Sequence, residues 1–215
     1  FRGIVLGMSG GIDSALSAAI AVDALGHDRV MGVMMPYQYT AKISLEDAEA
    51  EAELLGIRYE VLPIKDSFES ALETLTPIFS DKPADVTEQN MQSRMRGLFL
   101  MALSNKLGYM VLTTGNKSEV AVGYCTLYGD MVGGYSALKD VYKTLVFQLS
   151  RYRNEVAAAQ GEAEIIPDRV ITRPPSAELA PDQVDEDSLP SYDVLDQILE
   201  YYIEGDLSVE AIIAK

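Results

Sequence analysis

One cysteine, one histidine and a shortage of basic residues limit what this chain can do. Cys125 stands alone, so neither a disulfide framework nor a Cys-x-x-Cys metal or redox site can be assembled. With 17 Lys and Arg against 33 Asp and Glu, the formal charge is −16. A general nucleic-acid binder neutralises phosphates with a basic surface, so no nucleic-acid partner is expected. A polyanionic ligand must be drawn in by a local basic patch instead. No apolar run is long enough to span a bilayer and no signal peptide is visible. The sequence therefore predicts a cytoplasmic protein without a membrane partner.

What is present suffices for one substantial core. The 215 residues are 48% hydrophobic, which suits a single domain over 1–215. Phe1-Arg2-Gly3 enters the first strand without an initiator methionine, and Ser208 to Lys215 stops inside what reads as a new helix. The expectation is a domain truncated at both ends.

The organising stretch is Ile4-Val5-Leu6-Gly7-Met8-Ser9-Gly10-Gly11-Ile12-Asp13-Ser14. Ile4 to Leu6 reads as a short buried strand, and the Ala- and Leu-rich run after Ser14 as a helix. A glycine-rich turn between strand and helix points backbone N–H groups, at the positive end of the helix, toward an anion such as phosphate. A Walker A loop would end in Gly-Lys-Ser/Thr, whereas Gly11 is followed by Ile12 and Asp13. Gly7-Met8-Ser9-Gly10-Gly11 also fits the Gly-x-Ser-x-Gly nucleophile elbow. That chemistry needs a histidine base, and His27 sits close behind in the same helical stretch. Ser9, Asp13 and Ser14 instead put two hydroxyls and a carboxylate in the cradle, a set suited to pyrophosphate and Mg²⁺.

Strand and helix then alternate. Strands are predicted at Val30–Met35, Tyr59–Ile64 and Tyr109–Thr114. Helices are predicted at Ile12–Leu25, from a capping box at Ser44 to Leu55, at Asp66–Phe79, at about Thr87–Leu107 and at Tyr192–Glu204. This pattern predicts an α/β fold, a doubly wound and mainly parallel sheet with helices on both faces. Its ligand sites should lie at the carboxyl ends of the strands, with an adenine beside the end of Val30–Met35. On the long helix, Asn90 and Arg94 share a face and form the favoured ligand-facing pair, with Arg96 pointing elsewhere. Glu119 either joins Asp13 on a metal ion or is an ordinary acidic residue of a first helical turn. Leu127 to Tyr135 reads as a glycine-dense loop. Lys139 and Lys143 follow it at helical spacing, a placement that suits triphosphate contacts or plain exposure. From Gln160 to Ser191 a long polar loop carries Arg173-Pro174-Pro175-Ser176 and the acids Glu178, Asp182, Asp185, Glu186 and Asp187, the texture of a lid or binding loop.

Ser9-Gly10-Gly11-Ile12-Asp13-Ser14 resembles the loop of the N-type ATP pyrophosphatases, adenine nucleotide alpha hydrolase-like enzymes that split ATP into AMP and pyrophosphate. The chain as a whole resembles the synthetase domain of the NAD⁺ synthetases, most closely the version fused to a glutamine-hydrolysing nitrilase domain. The stretches carrying this likeness are Asn90 to Arg96, Thr114 to Tyr124, Leu127 to Asp130, Lys139 to Val146 and Pro174 to Leu179. The resemblance implies ATP-dependent conversion of deamido-NAD⁺ to NAD⁺ through an acyl adenylate, with ammonia displacing AMP. It also implies Mg²⁺, a glutaminase domain fused or in trans, a C-terminal segment beyond Lys215, and a homodimer or larger assembly.

By position, the resemblance places Gly7, Met8, Ser9, Gly10, Gly11, Ile12, Asp13, Ser14, Thr114, Lys143 and Ser176 at ATP. Asp13 and Glu119 would share the metal. Asn90, Arg94, Glu119 and Tyr124 would meet deamido-NAD⁺. Asp130 would orient or deprotonate ammonia and, with Asp13 and Lys143, make up the catalytic set. Leu127 stands where free-standing ammonia-dependent members have a lysine. Other implied outcomes are a GMP synthetase-like enzyme of the same fold, or a nucleotide-binding domain without turnover.

Overall fold

The computed structural model describes residues 1–181 and 183–215; Asp182, one of the acids of the polar loop, lies outside the described residues. Five strands form one parallel sheet: β1 (Ile4–Gly7), β2 (Val30–Met34), β3 (Arg58–Val61), β4 (Met110–Thr113) and β5 (Tyr135–Ser136), in the order β3-β2-β1-β4-β5. Helices α1 (Ile12–Leu25), α2 (Lys42–Leu55), α3 (Lys65–Phe79), α4 (Val86–Leu107), α5 (Lys117–Val122), α6 (Lys143–Ala159), α7 (Asp168–Thr172), α8 (Tyr192–Leu199) and α9 (Val209–Ile213) complete the chain. Among the described residues, no helix is long and apolar enough to cross a membrane.

The alternation of β1 explains the layering. Successive strand side chains point to opposite faces, and here both faces are covered. Ile4 and Leu6 join the core beneath α1, α2 and α6, while Val5 joins the core beneath α4. Strands buried on both sides need continuous apolar runs, which Ile4-Val5-Leu6 and Val30-Met31 supply. Full burial of Leu6 alone contributes about 2 kcal/mol. From β1 the chain winds outward through β2 to β3, then returns to place β4 on the other side of β1. Such a reversal opens a crevice above the carboxyl ends of the two central strands. The doubly wound, parallel α/β expectation therefore holds.

Several local expectations are corrected. The capping box is not at Ser44: α2 begins at Lys42, with Ala41 at its N-cap and no side-chain cap, and Ser44 is buried inside the helix. Its hydroxyl donates instead to Glu178, a tertiary bond that outcompetes local capping. A reciprocal cap does exist on α4, where Asp85 accepts the Thr87 N–H (2.7 Å) and Glu88 accepts the Asp85 N–H (2.7 Å). β3 stops at Val61, because Pro63 has no N–H for the ladder and Ile64 caps α3. The glycine-dense loop runs at Tyr135 into β5, too short for a two-residue alternation to reveal. The polar loop contains α7 and a 3-10 turn at Asp185–Asp187. Lys139 lies on an exposed turn before α6, so it shares no helix face with Lys143.

One buried carboxyl on α2 sets a pH response. Arg169 of α7 binds Asp47 through Nε at 2.7 Å, while Glu51, one turn along α2, is 1% exposed with its Oε1 unpartnered. Burial, then the Asp47 charge, push the Glu51 carboxyl well above the usual carboxylate range. The folded state therefore holds this proton more tightly than the unfolded chain, and stability falls as pH rises above the ordinary glutamate range. Glu51→Gln should be more stable than wild type at pH 8, with the difference shrinking toward pH 4 in urea titrations. A pH-independent difference would show that Glu51 is not held neutral in the fold.

Candidate functional site

The crevice is a cavity of about 260 Å³ walled by the glycine loop, the ends of β2 and β4, α4 and the 173–179 strap. The loop is held by its own side chains. Met8 and Ile12 are buried in the core, so they anchor it and can offer a ligand only their backbone. Ser14 donates to Gly11 O (2.9 Å), and the Ser9 hydroxyl accepts the Gly11 N–H (3.2 Å). Gly10 has φ +77°, and a Cβ there would stand 2.3 Å from Ser44 O, so glycine is required on both counts. Gly11 gives α1 no side-chain cap. The first N–H groups of this 14-residue helix are thus left for an anion.

Beside the cradle, residues far apart in sequence converge on one ammonium. Lys143, the first residue of α6, is 2% exposed and its Nζ binds both Asp13 Oδ2 and Glu119 Oε1, the latter at 2.9 Å. Asn116 ties the two acids together: its Nδ2 donates to Asp13 (2.8 Å) while its Oδ1 caps α5 at the Glu119 N–H (3.0 Å). The Lys143 N–H donates to Ser118 (2.8 Å), which donates in turn to Asp196 of α8. The Lys143 ammonium also lies 5.2 Å from the centre of the Tyr192 ring, and the Tyr192 hydroxyl donates to Asp185 (2.7 Å).

Two carboxylates on one ammonium leave an uncompensated negative charge. Burial, then the neighbouring Asp13, push the Glu119 carboxyl up to about 7 against the pull of Lys143. Burial alone would lower the Lys143 ammonium, but Asp13 and Glu119 outweigh it and hold it above its usual value. Mg²⁺ takes oxygen ligands and is usually held by one or two carboxylates plus phosphate oxygens. Among the described residues, no group of three or more His, Cys, Asp or Glu forms a metal site unaided. Asp13 and Glu119, with their excess charge beside an anion cradle, fit a Mg²⁺ that completes its shell from a bound phosphate.

Thr114, Tyr124, Asp130 and Ser176 also line the cavity. The Tyr124 hydroxyl is buried beside Asp185 without a well-formed hydrogen bond, and burial raises its pKa. Asp130 keeps an exposed edge, yet desolvation raises its carboxyl while the N–H groups of Thr126, Asp130 and Met131 restrain the shift. The Ser176 hydroxyl is engaged within the strap, donating to Gln183 O and accepting the Glu178 N–H (3.1 Å). Asn90 and Arg94 do not line this cavity. Asn90 Oδ1 accepts the Thr126 hydroxyl (2.9 Å) and Arg94 Nε donates to Leu127 O (3.1 Å), so both hold the segment that carries Asp130. The α4 face on the cavity is Ser93, Arg96, Gly97 and Leu100.

Sequence reasoning gave no role to Asn116, Glu178, Asp185 or Asp196. Glu178 accepts from Ala41 N–H (3.1 Å), Ser44 (2.5 Å) and Arg173 (3.3 Å), clasping the strap to the start of α2. Asp185 is 3% exposed with one oxygen unpartnered. The density of acids after Pro174-Pro175 was the only signal for either.

A family model described as NAD synthase matches residues 1–215. The glutamine-dependent NAD(+) synthetase of Acinetobacter baylyi is 60% identical over 215 residues, covering 100% of this chain and 39% of that protein. Among solved structures, the glutamine-dependent NAD⁺ synthetase of Acinetobacter baumannii in complex with ADP aligns with TM-score 0.78 and 55% identity, over 100% of this chain and 37% of that one. NMN synthetase from Francisella tularensis aligns with TM-score 0.81 and 27% identity, over 98% of this chain and 81% of that one. The chain thus spans less than two fifths of the length of the two glutamine-dependent relatives.

Removing the shared ammonium should expose the repulsion it masks. Lys143→Met is expected to cost about 2–4 kcal/mol of stability at pH 8, allowing for the partial exposure of the two acids. The loss should shrink at pH 5, where Glu119 is protonated, since its pKa lies near 7. Equal losses at both pH values in urea unfolding would separate Glu119 from Lys143.

Proposed function

The chain belongs to the NAD synthase family, and from that premise we propose that it converts deamido-NAD⁺ to NAD⁺ at the expense of ATP. The observation that carries this reading is the meeting of Asp13, Glu119 and Lys143 beside the glycine cradle, in one cavity. The names of the relatives and the ADP held by the Acinetobacter baumannii protein support it.

In the proposed reaction, the nicotinate carboxylate of deamido-NAD⁺ attacks the α-phosphorus of ATP and pyrophosphate leaves, giving an acyl adenylate. Ammonia then attacks the acyl carbon, AMP leaves, and a proton is released. The N–H groups at the start of α1 and the loop from Gly7 to Ser14 hold the phosphates. Lys143 balances charge that builds on the leaving oxygens, with Thr114 and Ser176 at the nucleotide. Asp13 and Glu119 would hold Mg²⁺, which supplies further neutralisation of the triphosphate. Tyr124 and Glu119, with the segment that Asn90 and Arg94 support, receive deamido-NAD⁺. Asp130, whose raised pKa makes it a readier proton acceptor, takes the proton of the incoming amine. Positioning and charge neutralisation carry the rate, so no covalent nucleophile is needed. The ammonia would normally come from a glutaminase domain, fused or in trans, and the working form would be a cytoplasmic homodimer or larger assembly.

ATP-dependent NAD⁺ formation from deamido-NAD⁺, with ammonium and then with glutamine, tests this. Asp13→Asn should lower the rate about 100-fold or more. Unchanged turnover in that variant would remove Asp13 from the reaction, and turnover of xanthosine monophosphate in place of deamido-NAD⁺ would move the chain to a GMP synthetase-like role.

A further inference from the structure

Three cations line the cavity, and one of them, unlike Lys143 and Arg173, has no carboxylate of its own among the described residues. Arg96 lies on the α4 face shared with Ser93, Gly97 and Leu100. Its Nε donates to Met35 O (2.9 Å) just past the end of β2, which fixes the plane of the guanidinium. Among the described residues, neither Nη makes a hydrogen bond and Arg96 forms no ion pair. Arg96 is half-buried, and it is a residue of the cavity wall. Glu178, the carboxylate whose charge reaches Arg96, is already engaged by Ala41, Ser44 and Arg173. Burial pushes the guanidinium down to about 10. A half-buried charge whose Nη groups find no acceptor in the protein is stabilised by a ligand that accepts hydrogen bonds.

The position of Arg96 selects the part of the ligand it meets. Phosphates belong to the glycine cradle beyond β1 and to Lys143. Arg96 is tethered one strand away, about 4.8 Å to the side, at the end of β2. Leu100 and Met35 flank it with apolar surface, which suits a flat ring and not a hydrated phosphate. A guanidinium offers donors only. We infer that Arg96 reads the adenine base of ATP, its Nη groups donating to a ring nitrogen. This rests on the reading of the cavity as an ATP site.

Titration calorimetry with ATP, AMP and the 1-, 3- and 7-deaza analogues of ATP, on wild type, Arg96→Met and Arg96→Lys, tests the assignment without turnover. Wild type should bind one deaza analogue about 10–100-fold more weakly than ATP. Arg96→Met should bind ATP more weakly by a similar factor and treat that analogue and ATP alike, while the ratio of ATP to AMP affinity stays unchanged. If Arg96→Met does not fold, Arg96→Lys serves: it keeps the charge but lacks the planar fork, so most of the deaza penalty should vanish. Equal binding of all analogues by wild type, or a penalty that survives both substitutions, overturns the assignment. So does a change confined to the ATP to AMP ratio, which would put Arg96 on the phosphates. Failure of wild type to bind ATP at all would instead bring down the nucleotide reading, and this assignment with it.

Discussion

The ammonium of Lys143 is the point on which the site depends. It draws Asp13 from α1 and Glu119 from α5 onto a single atom at the start of α6, while Tyr192 of α8 covers it. Four helices thus converge through one charge that is almost out of water. Neither acid could be buried so near the other without that charge, because two carboxylates at short range repel strongly in a poorly polarisable interior. The compensation is incomplete, and net negative charge remains beside the glycine cradle.

Sheet topology brings these helices together. β1 sits between β2 and β4, so the turn leaving β1 and the turn leaving β4 open on the same crevice. Asp13 follows the first and Glu119 the second. Their separation of about a hundred residues along the chain is the length needed to wind out through β2 and β3 and come back. The strap from Arg173 to Leu179 then closes the cavity from the other side, held by Glu178 on α2 and by Gln92, which donates to Leu179 O at 3.1 Å.

Features governed by neighbours in the chain were legible in the sequence. β1, α1 and the glycine loop follow from apolar periodicity and turn composition, and α1 ends where its pattern ends. Features decided by partners far away were not. Ser44 looked like a cap because Glu46 and Asp47 follow it, and only the arrival of Glu178 shows why its hydroxyl is otherwise engaged. Lys139 and Lys143 share a spacing but not a helix, since the chain turns between them. Of the two arginines on α4, pattern favoured Arg94, while the cavity lies on the side of Arg96. A helical wheel gives relative angles and cannot tell which angle faces the crevice. The family resemblance supplied roles for Asp13, Glu119 and Lys143 that composition alone left open.

Ser44 touches two parts of the site at once: its backbone lies where a Gly10 side chain would go, and its hydroxyl holds Glu178. Each residue of an α-helix turns the next by about 100°. Adding or losing one residue in the first turn of α2, ahead of Ser44, would swing Ser44 away from both neighbours, releasing the cradle and the clasp together. Inheritance should therefore tolerate spelling changes in that turn far better than changes in its length.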